Sequence, residues 1–171
     1  MVKIVDNFLR EDDFKKLKEV VFSGEFTWNW LDGVSFHKDS PNLDDDKRHL
    51  SYLVHVLYLG PGSLSPLFNL FTPILEKYRY NFNIKSLVRI KINCYPQSNV
   101  LEEHGMHTDY DYEHKGILIY LNNCDGYTRF ESGEKIDSVA NRVIFFDPSK
   151  EHTSTNTTDA SRRVTMNFNY F

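Results

Sequence analysis

The stretch "RIKINCY", residues 89–95, alternates polar and apolar residues without interruption, and "RVTMNF", residues 163–168, repeats this pattern near the end of the chain. Because successive side chains of a β-strand point to opposite faces, each stretch predicts a strand with one polar and one apolar face. The polar faces carry Arg89, Lys91, Asn93 and Tyr95 on the first strand and Arg163, Thr165 and Asn167 on the second.

Alternation alone leaves two interpretations of these strands open. In one, they belong to a sheet whose polar face meets solvent. In the other, the apolar faces pack on helices from the amino-terminal half, and the polar faces line a barrel that holds a charged ligand. Two amphipathic segments predict such helices: "DFKKLKEVVF" (13–22), which follows Asp12, and "PLFNLFTPILEKY" (66–78), with an apolar face of Leu67, Leu70, Phe71, Ile74 and Leu75.

The remaining pattern predicts a β-rich protein. Beyond residue 87, five short strand-like runs are separated by Gly, Asn, Asp and Ser, which is typical of a β-sandwich or barrel. Strands are also predicted within residues 2–9, 23–36 and 49–59, and the polar segment 37–48 reads as a solvated loop, since it lacks the glycine and terminal glutamate of a calcium loop. We expect one domain over 1–171, with 1–86 as a supporting region and 87–171 as the β-rich core.

Composition restricts the classes of function. The net charge of −4 offers no basic face for nucleic acid. The amino terminus lacks an apolar signal segment, and no stretch of about 18 apolar residues follows, so we expect a cytoplasmic protein with no membrane partner. Cys94 and Cys124 lie inside or at the end of apolar runs without metal-type spacing, which indicates buried free thiols.

The segment "HGMHTDYD", residues 104–111, predicts a metal site. His107 and Asp109, two residues apart in an extended segment, point the same way, and His152 follows the strand-like run "NRVIFFD" and a turn. Two histidines and one carboxylate on one face of an octahedron are the ligands of non-haem iron(II) oxygenases, whose open positions bind cosubstrate and O₂. His104 is an alternative to His107, although a three-residue offset along a strand points to the opposite face.

Arg163 predicts an anion site beside this metal. It lies on the polar strand face with Thr165 two residues later, and a guanidinium holds a carboxylate through two parallel hydrogen bonds. A buried cation without a partner is costly, so Arg163 requires an anionic ligand. Arg162 is the alternative, and the alternation favours Arg163.

Over most of its length the sequence resembles the 2-oxoglutarate- and Fe(II)-dependent dioxygenase superfamily, in particular small prolyl-4-hydroxylase-like members of the kind met in marine phage and bacterial genomes. The resemblance is carried by "HTD" (107–109) with His152, "RVT" (163–165), "IYLNNCDGYTRF" (119–130), "NRVIFFD" (141–147), "NCY" (93–95) and "IVDNFLREDDFKKL" (4–17).

The resemblance implies a double-stranded β-helix, a cupin-like jelly roll buttressed by amino-terminal helices. It implies hydroxylation of an unactivated C–H bond in a peptidyl-prolyl or small-molecule substrate, with release of succinate and CO₂. The cofactors implied are Fe(II), 2-oxoglutarate and O₂, with ascorbate as a candidate reductant. For a phage-encoded member the reaction takes place in the host cytoplasm. The implied metal ligands are His107, Asp109 and His152, and the implied 2-oxoglutarate contacts are Arg163, Thr165 and Tyr95.

Some positions depart from the family pattern. "DGYT" replaces "GGET", and Tyr95 precedes His107 by twelve residues, which weakens the assignment of Tyr95. Asn169 stands where alkylation-repair dioxygenases carry a second arginine, which argues against base demethylation.

The alternatives to a dioxygenase are a noncatalytic metal- or sugar-binding jelly roll and a zinc hydrolase. Further candidates for the surroundings of the site are His49, His55, Asp111, His114 and the acidic loop 39–46, whereas His37 reads as a surface or core histidine.

Overall fold

The computed structural model describes residues 2–33 and 51–171. The elements in these residues follow one another as β1 (Lys3–Val5), α1 (Glu11–Val21), β2 (Asn29–Leu31), β3 (Tyr52–Leu59), β4 (Gly62–Ser63), α2 (Phe68–Phe82), β5 (Leu87–Pro96), β6 (Lys115–Tyr120), β7 (Tyr127–Phe130), β8 (Lys135–Asp137), β9 (Val143–Phe146), β10 (His152–Ser154) and β11 (Arg162–Tyr170).

The strands form two antiparallel sheets. The major sheet has the order β1-β9-β6-β11-β5-β3-β2, with β4 paired to β3, and the minor sheet has the order β10-β7-β8. The chain crosses between non-neighbouring strands, as a jelly roll requires. The predicted fold class, mainly β with amino-terminal helices in a jelly roll, is therefore confirmed.

β5 and β11 lie side by side in the major sheet, and their register aligns the two polar faces. Tyr95 pairs with Arg163, Asn93 with Thr165, and Lys91 with Asn167. Paired residues of antiparallel strands share a face, so these side chains all point to the same side. The opposite faces join the main core, where they pack with residues of both helices; the strand members are Ile90, Ile92, Cys94, Val164, Met166 and Phe168. Of the second interpretation of the alternation, the part that places the apolar faces on the helices is confirmed.

The helices close the outer face of the major sheet. α1 buries Leu17 and Val21, and it starts one residue before Asp12, which lies in the acidic first turn. Negative side chains at that end interact favourably with the helix dipole. α2 buries Phe71, Tyr78 and Phe82. Leu70, expected on the packing face of α2, is 55% exposed, so that part of the prediction is wrong.

Other expectations met different outcomes. Within the described part of the aromatic stretch, residues 23–33, the strand is the short β2, and β10 is a strand that the sequence did not predict. Cys94 is buried, but Cys124 is only partly buried; both thiols are free. The acidic loop 39–46, His37 and His49 lie outside the described residues. Within the described part of the chain, no helix has the length and apolarity needed to cross a membrane.

Candidate active site

Three predicted ligands come together between the two sheets. One ligand atom each from His107, Asp109 and His152 lies within 4.8 Å of the others. The backbone holds them there: the amide of His107 donates to the carbonyl of His152 at 3.0 Å, and the amide of His152 donates back at 2.9 Å. The amide of Asp109 donates to the carbonyl of Pro148 at 2.9 Å.

Both histidines present the same nitrogen to the cluster. The Nδ1 atom of His107 lies 3.1 Å from the carbonyl oxygen of Gly105, and that of His152 lies 2.9 Å from the carbonyl oxygen of Lys150. A carbonyl acceptor fixes the proton on Nδ1, so Nε2 carries the free lone pair that binds a metal. Burial lowers the pKa of His107 to about 4 and also lowers the pKa of His152, which keeps both rings neutral.

Asp109 is held by donors from two strands. Arg89 of β5 donates to Oδ1 at 2.7 Å, and Asn169 of β11 donates to Oδ2 at 2.8 Å. Burial alone raises the pKa of this carboxyl, but the charges of Lys91 and Arg89 outweigh burial and leave it well below its ordinary value. The group is therefore a carboxylate across the physiological range.

A second layer of contacts supports Asp109 through Asn169. The Nδ2 atom of Asn169 also lies 3.0 Å from the Nε2 atom of His114, and the Nδ1 atom of His114 lies 2.8 Å from the carbonyl oxygen of Tyr112. The sequence suggested that His114 is a loop residue or a substrate contact. In the structure it is buried, and through Asn169 it supports the carboxylate of Asp109. Asp111 is exposed and lines no part of this cluster.

Arg163 lies fully buried at the deep end of the same space. Its exposed fraction is 0%, and it donates to the hydroxyl oxygens of Ser138 at 2.7 Å and Thr128 at 3.0 Å. Its guanidinium also lies 5.4 Å from the ring centre of Tyr95. Among the residues that the structure describes, no carboxylate lies within ion-pair distance of it. A buried guanidinium in this state can bind the carboxylate of a ligand through paired hydrogen bonds.

A cavity of about 230 Å³ joins the metal cluster to Arg163. All six site residues predicted from the sequence line this cavity, together with polar and apolar neighbours. The six are Tyr95, His107, Asp109, His152, Arg163 and Thr165. The polar faces of β5 and β11 therefore line the interior of the jelly roll, as expected.

Tyr95 lines this cavity, and His104 packs against the ring of Tyr95. Their rings are stacked with centres 5.0 Å apart, and Nδ1 of His104 lies 2.9 Å from the hydroxyl of Ser154. Burial lowers the pKa of His104 to about 3, so it is neutral. It lies outside the ligand cluster, so the alternative in which His104 replaces His107 is not supported by the geometry.

Two other residues that the sequence suggested for the site, Arg162 and His55, lie outside the cavity. Arg162 is on the apolar side of β11, with its guanidinium 5.2 Å from the ring centre of Phe22. His55 was a candidate for lining the site, but it is buried away from it, with its ring nitrogens near the carbonyl of Thr27 at 2.6 Å and the hydroxyl of Ser65 at 2.8 Å. The expectation for His55 is wrong because His55 pairs with Ile92 of β5 and so shares the apolar face of the sheet, where its ring packs on Phe26.

Sequence reasoning assigned no specific role to Arg89, Lys91 and Asn169, which contribute to the site. They lie on the alternating polar faces of β5 and β11, and that alternation was the available signal. His114 was a candidate for the surroundings of the site, but its contact with Asn169 was not predicted, since it depends on the path of the loop before β6.

The donor set fits a first-row divalent metal with open coordination positions. Two neutral imidazoles and one carboxylate are the set that non-haem iron(II) oxygenases use. The buried Arg163 fits the distal carboxylate of a dicarboxylate that reaches from the metal.

Comparison with known proteins gives the same fold. No family model and no curated protein sequence matches the chain. A 2-oxoglutarate–Fe(II) oxygenase family oxidoreductase from Burkholderia pseudomallei superposes with a TM-score of 0.68 at 14% identity, over 99% of this chain and 84% of that chain. A viral collagen prolyl hydroxylase from Paramecium Bursaria Chlorella virus-1, in a 2-oxoglutarate complex, superposes with a TM-score of 0.57 at 12% identity, over 98% and 94%.

A prolyl hydroxylase from Trichoplax adhaerens, in complex with a hypoxia inducible factor oxygen degradation domain peptide fragment, superposes with a TM-score of 0.58 at 16% identity, over 99% of this chain and 83% of that chain. At these identities the likeness concerns the backbone. The chain has the prolyl-4-hydroxylase-like fold of the 2-oxoglutarate–Fe(II) oxygenases.

Proposed function

We propose that this protein is a 2-oxoglutarate- and iron(II)-dependent dioxygenase that hydroxylates an unactivated C–H bond. The observation that carries the proposal is the position of Arg163. It is fully buried, has no carboxylate partner among the described residues, and opens into the cavity that also holds the cluster of His107, Asp109 and His152.

Each residue has a role in this proposal. His107, Asp109 and His152 hold the iron through Nε2 and carboxylate oxygens. Arg163 binds the distal carboxylate of 2-oxoglutarate, and Thr165 lies two residues along the same strand face to add a hydroxyl contact. Tyr95 lines the cavity beside Arg163 and limits the orientations open to the cosubstrate.

Iron(II), bound with 2-oxoglutarate and O₂, supplies the oxidising chemistry that gives C–OH, succinate and CO₂. The chain supplies position and exclusion of water. Arg89 and Asn169 keep Asp109 ionised and oriented, because both donate to its oxygens. Leu118 and Phe146 are buried and line the same cavity, which reduces the water around the reacting centre.

The substrate is a prolyl residue in a peptide or a small molecule. Structural neighbours that are prolyl hydroxylases, one in complex with a peptide fragment, support the peptide. The small cavity supports the small molecule, because drug-sized ligands usually occupy about 300–1,000 Å³.

The alternatives give Arg163 no role. A noncatalytic metal-binding jelly roll needs only the three ligands, and a zinc hydrolase needs those ligands and a water. Neither explains why a guanidinium is buried at the end of the cavity without an acid.

The test is spectroscopic. Under anaerobic conditions, Fe(II) and 2-oxoglutarate added to the wild type should produce a weak visible charge-transfer band that saturates with 2-oxoglutarate. Arg163→Met is the matched control and should lose the band at the same concentration while still binding metal. Admission of O₂ with ascorbate should then release succinate. Absence of the band at saturating ligand would falsify the proposal, and metal-dependent hydrolysis without 2-oxoglutarate would favour the zinc hydrolase.

A further inference from the structure

The cavity contains more positive charge than the proposed cofactors neutralise. Its charged lining residues are Arg89, Lys91, Arg163 and Asp109, three cations and one carboxylate. Iron(II) and the dianion of 2-oxoglutarate together add no net charge, so the three cations and one carboxylate leave the cavity with a net charge of +2. Arg89 pairs with Asp109 at 2.7 Å, and Arg163 contacts the distal carboxylate under the proposed function. Lys91 is then the cation of the lining to which no ion pair is assigned.

Lys91 lies at the centre of the major sheet. Its backbone pairs with Asn167 on β11 and with Val56 on β3, and its side chain points into the cavity. Among residues 2–33 and 51–171 its side chain makes no hydrogen bond and no ion pair. Burial and the charge of Arg89 lower its pKa to about 8, and the charge of Asp109 opposes them. The side chain is partly buried, and a cation that is poorly solvated inside a cavity is stabilised by an anionic ligand.

Two hydrogen-bond acceptors adjoin Lys91. Asn167 is its cross-strand partner, and Asn93 is two residues along the same face of β5. Both side chains are at least 95% buried, and their Oδ1 atoms have no donor among the described residues. A buried acceptor without a donor is destabilising, so what fills this part of the cavity should offer an N–H or O–H group. A carboxylate beside an amine satisfies both requirements.

We propose that the substrate is a free amino acid, whose carboxylate binds Lys91 and whose amino group donates to the amide oxygens of Asn93 and Asn167. This inference rests on the proposed function and deepens it by selecting a small substrate over a peptide. The volume of the cavity also favours a small substrate, because about 230 Å³ must hold both 2-oxoglutarate and the reacting part of the substrate. An internal prolyl residue of a peptide has no free carboxylate for Lys91.

The experiment measures binding rather than turnover. Wild-type protein with Fe(II) and 2-oxoglutarate is kept anaerobic, and its melting temperature is followed against concentration for the twenty common L-amino acids, hydroxyproline, and the carboxamide and deaminated acid of each. A ligand that binds only the folded protein raises the melting temperature in a saturable way. At least one amino acid should do so, and its carboxamide and its deaminated acid should bind at least about tenfold more weakly.

Three variants assign the effect to Lys91. Lys91→Met should weaken binding of that amino acid at least about tenfold, and Lys91→Arg, which keeps the charge, should retain most of it. Lys15→Met, at an exposed position of α1, should bind as the wild type does. Lys15→Met should keep the charge-transfer band of the wild type, and titration of the band in the Lys91 variants separates an effect on 2-oxoglutarate from an effect on the amino acid.

Several results would overturn the inference. These are equal binding by the carboxamide, no binding by any amino acid in the panel, binding only by an acetylated and amidated prolyl peptide, or unchanged affinity in Lys91→Met. Loss of 2-oxoglutarate affinity in Lys91→Met would also overturn it, because Lys91 would then serve the cosubstrate. A wild type without the charge-transfer band refutes the proposed function itself, so the two failures are distinguishable.

Discussion

His107 and His152 exchange two backbone hydrogen bonds, at 3.0 and 2.9 Å, and form an isolated antiparallel bridge. Their ring centres are 4.6 Å apart as a consequence. Backbone pairing thus brings the imidazoles of two residues that are distant in the chain close together. Such pairing restricts their relative movement more than side-chain packing alone would. This pairing fixes the positions of the two imidazoles relative to each other through the backbone.

Asn169 should affect metal affinity without touching the metal. Its amide bridges Asp109 and His114, at 2.8 and 3.0 Å, and contacts that orient a ligand usually contribute about 10–100-fold to affinity. Asn169→Ala should weaken metal binding by about this factor, measured by competition with a coloured chelator. Asn69→Ala, at an exposed position of α2, is the control. An unchanged affinity in Asn169→Ala would show that Arg89 and Asn167, which also donate to this carboxylate at 2.7 and 3.3 Å, orient it without Asn169.

Arg163 should determine the affinity for 2-oxoglutarate. Two charge-assisted hydrogen bonds at about 1.5–3 kcal/mol each predict a loss of at least about 100-fold in Arg163→Met. Arg163→Lys should lose less, because it keeps the charge but not the paired donors. Titration of the charge-transfer band measures both. If Arg163→Met binds 2-oxoglutarate as tightly as the wild type, another cation holds the distal carboxylate.

Gly126 should be required for the placement of Arg163. A Cβ atom at Gly126 would lie 2.5 Å from Cδ of Arg163 and about as close to the backbone oxygen of Asn156, so a methyl group forces one of them to move. Gly126→Ala should lower stability by about 1–3 kcal/mol in urea unfolding and weaken 2-oxoglutarate binding. Gly24→Ala, where no atom lies within 4 Å, should do neither. Normal cosubstrate binding in Gly126→Ala would mean that Arg163 tolerates displacement.

The alternation of Arg163, Thr165 and Asn167 predicted which strand face lines the cavity, because side-chain direction in a strand follows from residue number alone. The same rule could not predict that Arg89 contacts Asp109, since that contact depends on how the segment 97–114 returns across the barrel. β10 escaped prediction for a related reason. His152–Ser154 has no apolar pattern and is a strand only because it pairs with β7.

Glu103 should make stability depend on pH in the acid range. Arg129 donates to both of its carboxylate oxygens, at 2.7 to 3.0 Å, and Tyr127 donates at 2.7 Å. Hydrogen bonds from Arg129 and then Tyr127 lower the pKa of Glu103 from 4.5 to about 2. A carboxyl whose folded pKa lies below its unfolded value adds stability above about pH 4.5, and this stability is lost as the pH falls towards about 2.

Glu103→Gln should therefore be less stable than the wild type by about 1 kcal/mol at pH 7, a value kept small by solvent screening of a side chain that is 29% exposed. The difference should shrink as the pH falls from 4.5, because the wild type then protonates the same group. Urea unfolding at pH 7, 4.5 and 3 measures it. Glu134→Gln, at an exposed position, should show no such convergence. A difference that stays constant down to pH 3 would mean that the Glu103 substitution acts through packing rather than through its charge.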